Sequence, residues 1–304
     1  CQISYYDDSM EEPDTMMASS NNYLIPLVLG YFKDRWVFGK EAKRLAVVGE
    51  DCTETDLYGK AKRREKVSLA GKTYDAVWLL AKYISLTLQD FENIQYLTFT
   101  TPETDVDMAK MLKGIGQHIG VDKEIINVQD YKESFCQYMI FQPKELWQYE
   151  AALFYCDEDV IRAYMLRELK NSSQKSRESF VTVDKVADAR MEELEAVYPV
   201  LHVEKAKAVY PIMNKEKSPD ESFKSMIENV FEKKVISSVY LTGEGFEKNW
   251  YPNSLRVLCN GRRAFMGNNL YSKGACYKSI RKCEPNDDGP IYLDETKLTE
   301  RICL

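Results

Sequence analysis

Two glycines flank a carboxylate directly after an apolar run, at Gly243, Glu244 and Gly245. The apolar run, residues 235–241, is rich in β-branched side chains and predicts a short buried strand. Glycine lets the backbone turn sharply and approach a ligand without a Cβ in the way. Residues 246–250 are expected to enter a helix whose first N–H groups face the end of the strand. This order is typical of nucleotide sites, but by itself a single GxG favours a purely structural turn.

The composition is that of an ordinary globular protein. The chain has 304 residues, 44% hydrophobic and 29% charged, with a net charge of −7 at pH 7. This acidic balance argues against a nucleic-acid surface, which needs clustered Lys and Arg. The one basic run, residues 60–66, contains Glu65 and predicts a solvated helix face. No run of eighteen apolar residues is present, so we expect no membrane span.

Eight cysteines and two histidines are spread along the chain. The sequence has no CxxC and no cluster of Cys with His, so we expect no metal site of the zinc type. Most of the cysteines lie in apolar runs and are predicted to be reduced core residues, which indicates a cytoplasmic protein. His118 and His202 have no carboxylate or Cys partner at a characteristic spacing and are predicted to be structural.

The first half of the chain predicts alternating strands and helices. Strands are expected at residues 2–6, 23–30, 34–38, 94–100 and 124–128. Helices are expected at residues 41–48, 73–91, 105–119 and 131–141. Thr104 or Asp105 suits the N-cap of the third helix, and Gly120 suits its end. This order indicates an α/β layer with a mixed sheet.

The second half starts again with antiparallel strands. Residues 148–155 and 160–166 predict a hairpin, and its turn carries Asp157, Glu158 and Asp159. Helices are expected at residues 183–198, 221–233 and 269–281. Because the halves have similar sizes and similar beginnings, we expect a duplicated architecture.

This layout resembles the superfamily of actin, the sugar kinases and the heat-shock chaperones, and within it the chaperone ATPase domain, over roughly residues 1–283. The chaperone segment A-V-I-T-V-P-A is similar to the strand IQYLTFTTP. The chaperone adenosine motif V-x-L-V-G-G-S-T-R resembles SSVYLTGEGF, and P-D-E-A-V-A-Y-G-A-A resembles FMGNNLYSKGACYKSI. The matching segments follow one another in the same order. We therefore expect an uncharacterised, degenerate bacterial branch of this superfamily.

The resemblance implies an α/β, two-lobed actin-like fold, which is a duplicated ribonuclease H-like architecture with mixed sheets flanked by helices. Residues 1–141 would form the first lobe, with an incomplete first hairpin, and residues 142–283 the second. Residues 284–304 would be a linker and the start of a truncated C-terminal β region. The chain is therefore expected to be truncated at both ends.

The resemblance also implies a site for ATP or ADP with Mg. Asp130 falls where the chaperones place a glutamate near the metal and the water, and it is the implied catalytic residue. The implied nucleotide-binding residues are Gly243, Glu244, Gly245, Phe246 and Asn268. The two glycines would leave room for base and ribose. Glu244 would accept from a ribose hydroxyl or face water, and Phe246 would stack on adenine.

The phosphate side departs from the superfamily pattern. The first phosphate loop, D-L-G-T, would precede this sequence, and FYCDEDVIRAY stands in place of the second, D-L-G-G-G-T. The turn at Asp157 has no glycine, so its backbone does not easily form a nest of N–H donors. Each carboxylate–phosphate contact at about 4 Å would cost roughly 1–4 kcal/mol. A divalent cation would reverse that sign, so a solvated acidic turn and a metal-bridged site both stay open.

These residues favour two functions over a third. A binding or scaffold module for protein or peptide partners, with weak or lost nucleotide use, follows from the degenerate phosphate turn. The alternative is an ATP-binding, chaperone-like switch whose nucleotide closes the cleft between the lobes, supported by the adenosine turn and Asp130; any hydrolysis would make it a slow ATPase. A sugar or metabolite kinase would need a catalytic Asp signature that the sequence does not have.

Overall fold

The chain folds as a mixed α/β protein, as its sequence predicts. The computed structural model describes residues 1–19, 22–49, 52–157, 160–169, 179–190, 218–284 and 289–294. The α-helices are α1 (Gly39–Val48), α2 (Leu57–Lys62), α3 (Ala76–Thr87), α4 (Val106–His118), α5 (Tyr131–Ile140), α6 (Pro219–Phe231), α7 (Pro252–Leu258) and α8 (Leu270–Cys283). The strands are β1 (Ser4–Tyr5), β2 (Asp14–Thr15), β3 (Leu29–Phe32), β4 (Arg35–Phe38), β5 (Thr53–Glu54), β6 (Lys66–Leu69), β7 (Lys72–Asp75), β8 (Leu97–Thr101), β9 (Ile126–Asp130), β10 (Glu150–Cys156), β11 (Val160–Leu169), β12 (Phe180–Arg190), β13 (Ile236–Thr242), β14 (Arg263–Met266) and β15 (Ile291–Tyr292).

Short polar residues fix the starts of several helices. The Asp105 carboxylate accepts the N–H of Met108 at 2.7 Å, which confirms Asp105 as the N-cap of α4. Gly120 follows α4 with a φ of +92°, a left-handed conformation that favours glycine. The Ser218 hydroxyl and the Glu221 carboxylate form a reciprocal capping box at the start of α6.

The chain divides into two compact units. Unit 1 contains Cys1–Tyr131 and Tyr271–Pro285, and unit 2 contains Lys132–Leu270 and Asn286–Leu304. The predicted boundaries, after residues 141 and 283, differ from this division. The body of α5 belongs to unit 2, whereas α8 beyond its first residue belongs to unit 1.

Unit 2 is built on a six-stranded mixed sheet with the strand order β14-β13-β10-β11-β12-β15. Strand β10 pairs antiparallel with β11 and parallel with β13, and β14 continues parallel beside β13. Helices α6 and α7 cover one face through a core that includes Phe154, Phe223, Val239 and Leu258. The strands in the middle of the sheet are nearly all buried, because both neighbours and the helices exclude water from them.

Unit 1 contains smaller sheets among its described residues: β4-β3-β5, and the pairs β1-β2, β6-β7 and β8-β9. Its core lies beside α3 and α4, where the buried Tyr83 hydroxyl donates to the Pro26 carbonyl at 3.0 Å. Two cations of the basic run form local ion pairs, Lys60 with Glu54 and Arg63 with Asp56. The sheets of the two units therefore differ, and the expected duplication is not visible in the strand order of the described residues.

Three local predictions are corrected by the structure. Residues 183–190 lie in strand β12 instead of a helix, because Val181 and Val183 alternate with polar residues and fill one buried face; residues 191–198 lie outside the described part. Residues 244–247 form a 3-10 turn, and the next α-helix begins only at Pro252. Residues 291–292, predicted to lie in a separate β region, pair with β12 at the edge of the unit 2 sheet.

The cysteines divide more evenly between buried and exposed positions than predicted. Among the described cysteines, Cys52, Cys136 and Cys156 are buried and Cys276 is half-buried, whereas Cys1, Cys259 and Cys283 are exposed. Burial raises the pKa of the Cys276 thiol to about 12. His118 is exposed at the end of α4, and His202 and Cys303 lie outside the described residues.

Candidate functional site

The glycine turn and the acidic hairpin turn, almost ninety residues apart in sequence, lie side by side in unit 2. Strands β10 and β13 are parallel neighbours in register, with Tyr155 opposite Thr242. The next residues along each strand are Cys156 and Gly243, so the two turns emerge at the same edge of the sheet. In α/β sheets this carboxyl edge is where ligands usually bind.

The two glycines are needed for contact between these turns. Gly243 has a φ of +100°, and a Cβ on it would lie 2.0 Å from the Cys156 carbonyl oxygen. A Cβ on Gly245 would lie 2.3 Å from the Cys156 sulfur and 2.9 Å from the Asp157 carbonyl oxygen. The Cβ side of both glycines is thus occupied by the β10–β11 hairpin, while the two residues themselves stay half-buried. The sequence pattern is explained by close chain packing.

The hairpin turn uses its polar groups within itself. The Asp157 N–H donates to the Val160 carbonyl at 3.1 Å, and the Val160 N–H donates to the Asp157 carboxylate at 2.7 Å. The other carboxylate oxygen of Asp157 lies 3.7 Å from the Arg162 guanidinium. Glu158 and Asp159, predicted to complete an acidic triplet, lie outside the described residues. The backbone donors of Asp157 and Val160 are therefore bonded within the hairpin.

Phe246 is a core residue. It is only 2% exposed, and its ring lies 5.5 Å from Phe223, 5.1 Å from Tyr251 and 6.1 Å from the parallel ring of Trp250. Phe246 is therefore not available to stack on adenine in this arrangement, contrary to the sequence-based expectation. Aromatic residues that follow the glycine turn cover the apolar face of the sheet instead.

Two hydrogen bonds hold this aromatic cluster against the turn. The Trp250 indole N–H donates to the Gly245 carbonyl at 2.8 Å, and the Tyr251 hydroxyl donates to the Phe246 carbonyl at 3.1 Å. Burial raises the pKa of Tyr251 above its ordinary value. The sequence-based site did not include Trp250 and Tyr251, although a Trp-Tyr pair just after a glycine turn is a visible signal for such a cluster.

Glu244 and Asn268 are the predicted site residues that face solvent. Glu244 opens the 3-10 turn after β13, and Asn268 follows β14. The N–H of Gly267, next to Asn268, donates to the Leu241 carbonyl at 2.6 Å, so both residues lie at the carboxyl ends of neighbouring strands. They are the predicted binding residues best placed to meet a ligand.

Asp130 belongs to unit 1, whereas the other predicted site residues belong to unit 2. It is the last residue of β9, opposite Thr101 of β8, and it is half-buried. Within the described ranges, no group of three or more His, Cys, Asp or Glu residues is arranged to hold a metal ion. The chemistry described for unit 2 is therefore that of a packed turn with two exposed polar residues beside it.

Comparison with known proteins gives a family without an assigned function. Among the described helices, none combines the length and the apolar character needed to cross a membrane. A search of curated proteins finds no match. Residues 12–295 match the family described as "Family of unknown function (DUF5716) C-terminal". Since this match covers most of the 304 residues, the chain belongs to that family.

Proposed function

We propose that this chain is a degenerate actin-like, chaperone-like protein that serves as a binding or scaffold module for protein partners and has lost its use of nucleotide. One observation carries this proposal. The turn that would face a nucleotide packs on the hairpin: the Cys156 carbonyl oxygen lies 2.0 Å from the Cβ position of Gly243, and the Asp157 carbonyl oxygen lies 2.9 Å from that of Gly245. A nucleotide could not approach the glycines from their Cβ side without displacing the hairpin backbone.

The strand order of unit 2 supports the actin-like part of the proposal. Strands β10, β11 and β12 are consecutive and antiparallel, and β13 and β14 are then added parallel to β10 on its other side. A ribonuclease H-like lobe has this arrangement. In such a lobe the β10–β11 hairpin turn would hold phosphates and the turn after β13 would hold adenosine.

The electrostatics of the hairpin turn support the loss of phosphate binding. A phosphate needs N–H donors or cations directed at it. Both described N–H groups at the ends of this turn are bonded within the hairpin, and Arg162 lies beside the Asp157 carboxylate. A triphosphate placed here would meet the negative charge of Asp157 without receiving hydrogen bonds from those two N–H groups.

The alternative is an ATP-binding, chaperone-like switch. The exposure of Glu244 and Asn268 at the carboxyl ends of β13 and β14 favours it, because ligands bind at this edge in α/β sheets. On that proposal, the nucleotide is held by the side chains around the turn and not by the glycines themselves.

A calorimetric titration of the chain with MgATP separates the two functions. The scaffold proposal predicts no saturable binding up to about 1 mM nucleotide. Glu244→Ala and Asn268→Ala test the alternative without disturbing the core, because both side chains are exposed. Lys248→Ala is the matched control, because Lys248 is also exposed and directly follows the 3-10 turn.

A dissociation constant below about 100 µM that both test substitutions weaken about tenfold, while the control leaves it unchanged, would overturn the scaffold proposal. Replacement of Gly243 is unsuitable for this test. Any side chain there meets the Cys156 carbonyl, so a loss of binding would report a damaged turn.

A further inference from the structure

We infer that the outer edge of β14 binds an extended, acidic segment of a partner protein, which joins the unit 2 sheet as an additional strand. This inference rests on the proposed function as a protein-binding module and names where and what the module binds. Addition of a peptide strand to a sheet edge is a general mode of peptide recognition. Four observations on the described residues carry it.

The first observation is that β14 is an open edge. It ends the strand order of the sheet, and β13 is the only strand that pairs with it in the described part of the chain. All four residues of β14 are exposed or half-exposed, whereas six of the seven residues of β13 are buried. Met266 is 50% exposed although it is a large apolar residue.

The second observation is the direction of the backbone groups. The Gly267 N–H donates inward, to the Leu241 carbonyl of β13, at 2.6 Å. Because consecutive residues of a strand direct their N–H and C=O groups to opposite sides, Phe265 also faces β13 while Ala264 and Met266 face outward. The edge therefore offers two N–H donors and two carbonyl acceptors, spaced as a pairing strand requires.

The third observation is that side chains hold β14 in place without a further strand. The Phe265 ring stacks on Tyr240 at 5.0 Å, and the Tyr251 hydroxyl lies 3.9 Å from the Met266 sulfur on the opposite face. Anchoring on both faces keeps the edge extended before any partner arrives. A pre-formed edge loses less conformational entropy when a strand is added.

The fourth observation is an uncompensated positive charge at the start of the edge. Arg262 lies over the Phe231 ring at 4.5 Å and donates to the Asn260 carbonyl, but its buried Nη1 has no hydrogen-bond partner. Burial lowers the pKa of Arg262. Arg263 is exposed and forms no ion pair with any described residue.

The neighbouring lysines are already engaged, which leaves the arginines as the cations that need a partner. Lys233 pairs with Glu232 at 3.4 Å, and Lys234 donates to the Val230 carbonyl at the end of α6. Carboxylates from an incoming strand would pair with the guanidinium groups. The edge would therefore select acidic segments over basic ones. This basic edge also stands out on a chain whose net charge is −7.

The test uses fluorescence anisotropy with two labelled peptides of about eight residues, the usual scale of a strand. One alternates valine or threonine with glutamate, and the other has lysine in place of each glutamate. The acidic peptide is expected to bind at least about tenfold more tightly than the basic one, because both arginines would oppose lysine. Equal affinity for the two peptides, or no binding of the acidic one, would contradict the inference.

Two variants locate the binding. The double variant Arg262→Glu with Arg263→Glu is expected to weaken binding of the acidic peptide at least about tenfold, whereas Lys248→Glu, a charge reversal of half that size past the opposite ends of the strands, should not. Ala264→Pro removes an outward N–H and leaves the bonds to β13 intact, so it should also weaken binding about tenfold relative to Ala264→Val. Unchanged affinity in the double variant would refute the edge as the site, and Arg263→Glu alone, at an exposed position, repeats the test without altering the partly buried Arg262.

Sedimentation of the free chain tests a competing occupant. If the chain dimerises and Ala264→Pro dissolves the dimer, a second copy occupies the edge and the inference fails. The peptide affinity does not depend on nucleotide. If the chain binds MgATP through Glu244 and Asn268, the scaffold proposal fails but the peptide affinity stays the same, so the two failures can be distinguished.

Discussion

The glycine turn after β13 and the outer edge of β14 lie in the same sheet but use their polar groups in opposite ways. At the turn, N–H groups, carbonyls and the Asp157 carboxylate are bonded within the protein. At the edge, the backbone groups of Ala264 and Met266 face outward, and Arg262 and Arg263 form no ion pair with a described residue. The turn has a recognisable motif and little capacity left for a ligand. The edge has no motif, and its outward backbone groups pair with no other described strand, so they remain for binding.

Gly243→Ala tests whether the turn is tightly packed, and it is expected to have the largest effect. The new Cβ would overlap the Cys156 carbonyl at a φ of +100°, so we expect a loss of more than about 4 kcal/mol of unfolding free energy. Urea unfolding followed by tryptophan fluorescence measures it. Gly261→Ala is the control, since its φ is +72° but nothing lies within 4 Å, and it should cost only about 1–2 kcal/mol. Equal midpoints for the two variants would mean that the turn is open.

Phe246→Ala sharpens the assignment of that ring to the core. Its 2% exposure and its contacts with Phe223, Trp250 and Tyr251 predict a loss of about 3–5 kcal/mol. The same urea experiment measures it. A ring placed for adenine would instead be removed with little change in stability, and that result would restore Phe246 to a nucleotide site.

Tyr251→Phe tests the hydrogen bond beneath the turn and its dependence on pH. Loss of the bond to the Phe246 carbonyl should cost about 1 kcal/mol at neutral pH. Because burial raises the pKa of Tyr251, the folded chain keeps this proton when the unfolded chain releases it. The contribution of the Tyr251 hydroxyl to the unfolding free energy is therefore complete below about pH 10 and is lost as the pH rises above that value. Wild-type stability should fall towards that of Tyr251→Phe in this alkaline range, and a constant difference would contradict the assignment.

The smallest effects are expected at the edge. Arg263→Ala removes an exposed side chain without an ion pair and should change the unfolding free energy by no more than about 0.5 kcal/mol. Thermal unfolding of this variant beside Phe246→Ala gives the contrast directly. A large destabilisation by Arg263→Ala would mean that Arg263 stabilises the folded chain and is not available to bind a partner.

Much of the local structure could be predicted from the sequence. Helices α4 and α5 begin within a residue of the predicted positions, because the Asp105 cap and the apolar spacing are local signals. The β10–β11 hairpin and strand β13 were also predicted from apolar runs and turn residues. Strand β12 was predicted to be a helix, because its glutamate-rich continuation outweighed the alternation of Val181 and Val183. The position of β15 depended on a partner strand more than one hundred residues earlier.

What the sequence determined by itself was the set of turns, caps and strands, since these depend on residues close together in the chain. It also marked Gly243 and Gly245 as positions where something approaches the backbone closely. Only the tertiary structure decided what that is, because parallel pairing of β10 with β13 brings the Cys156 carbonyl to the Cβ position of Gly243. Likewise, Arg262 and Arg263 are ordinary charges in the sequence. They become an unpaired cationic edge because no other described strand lies beyond β14. Whether a polar group is available to a ligand depends on its neighbours in space, and those are set by sheet order and register.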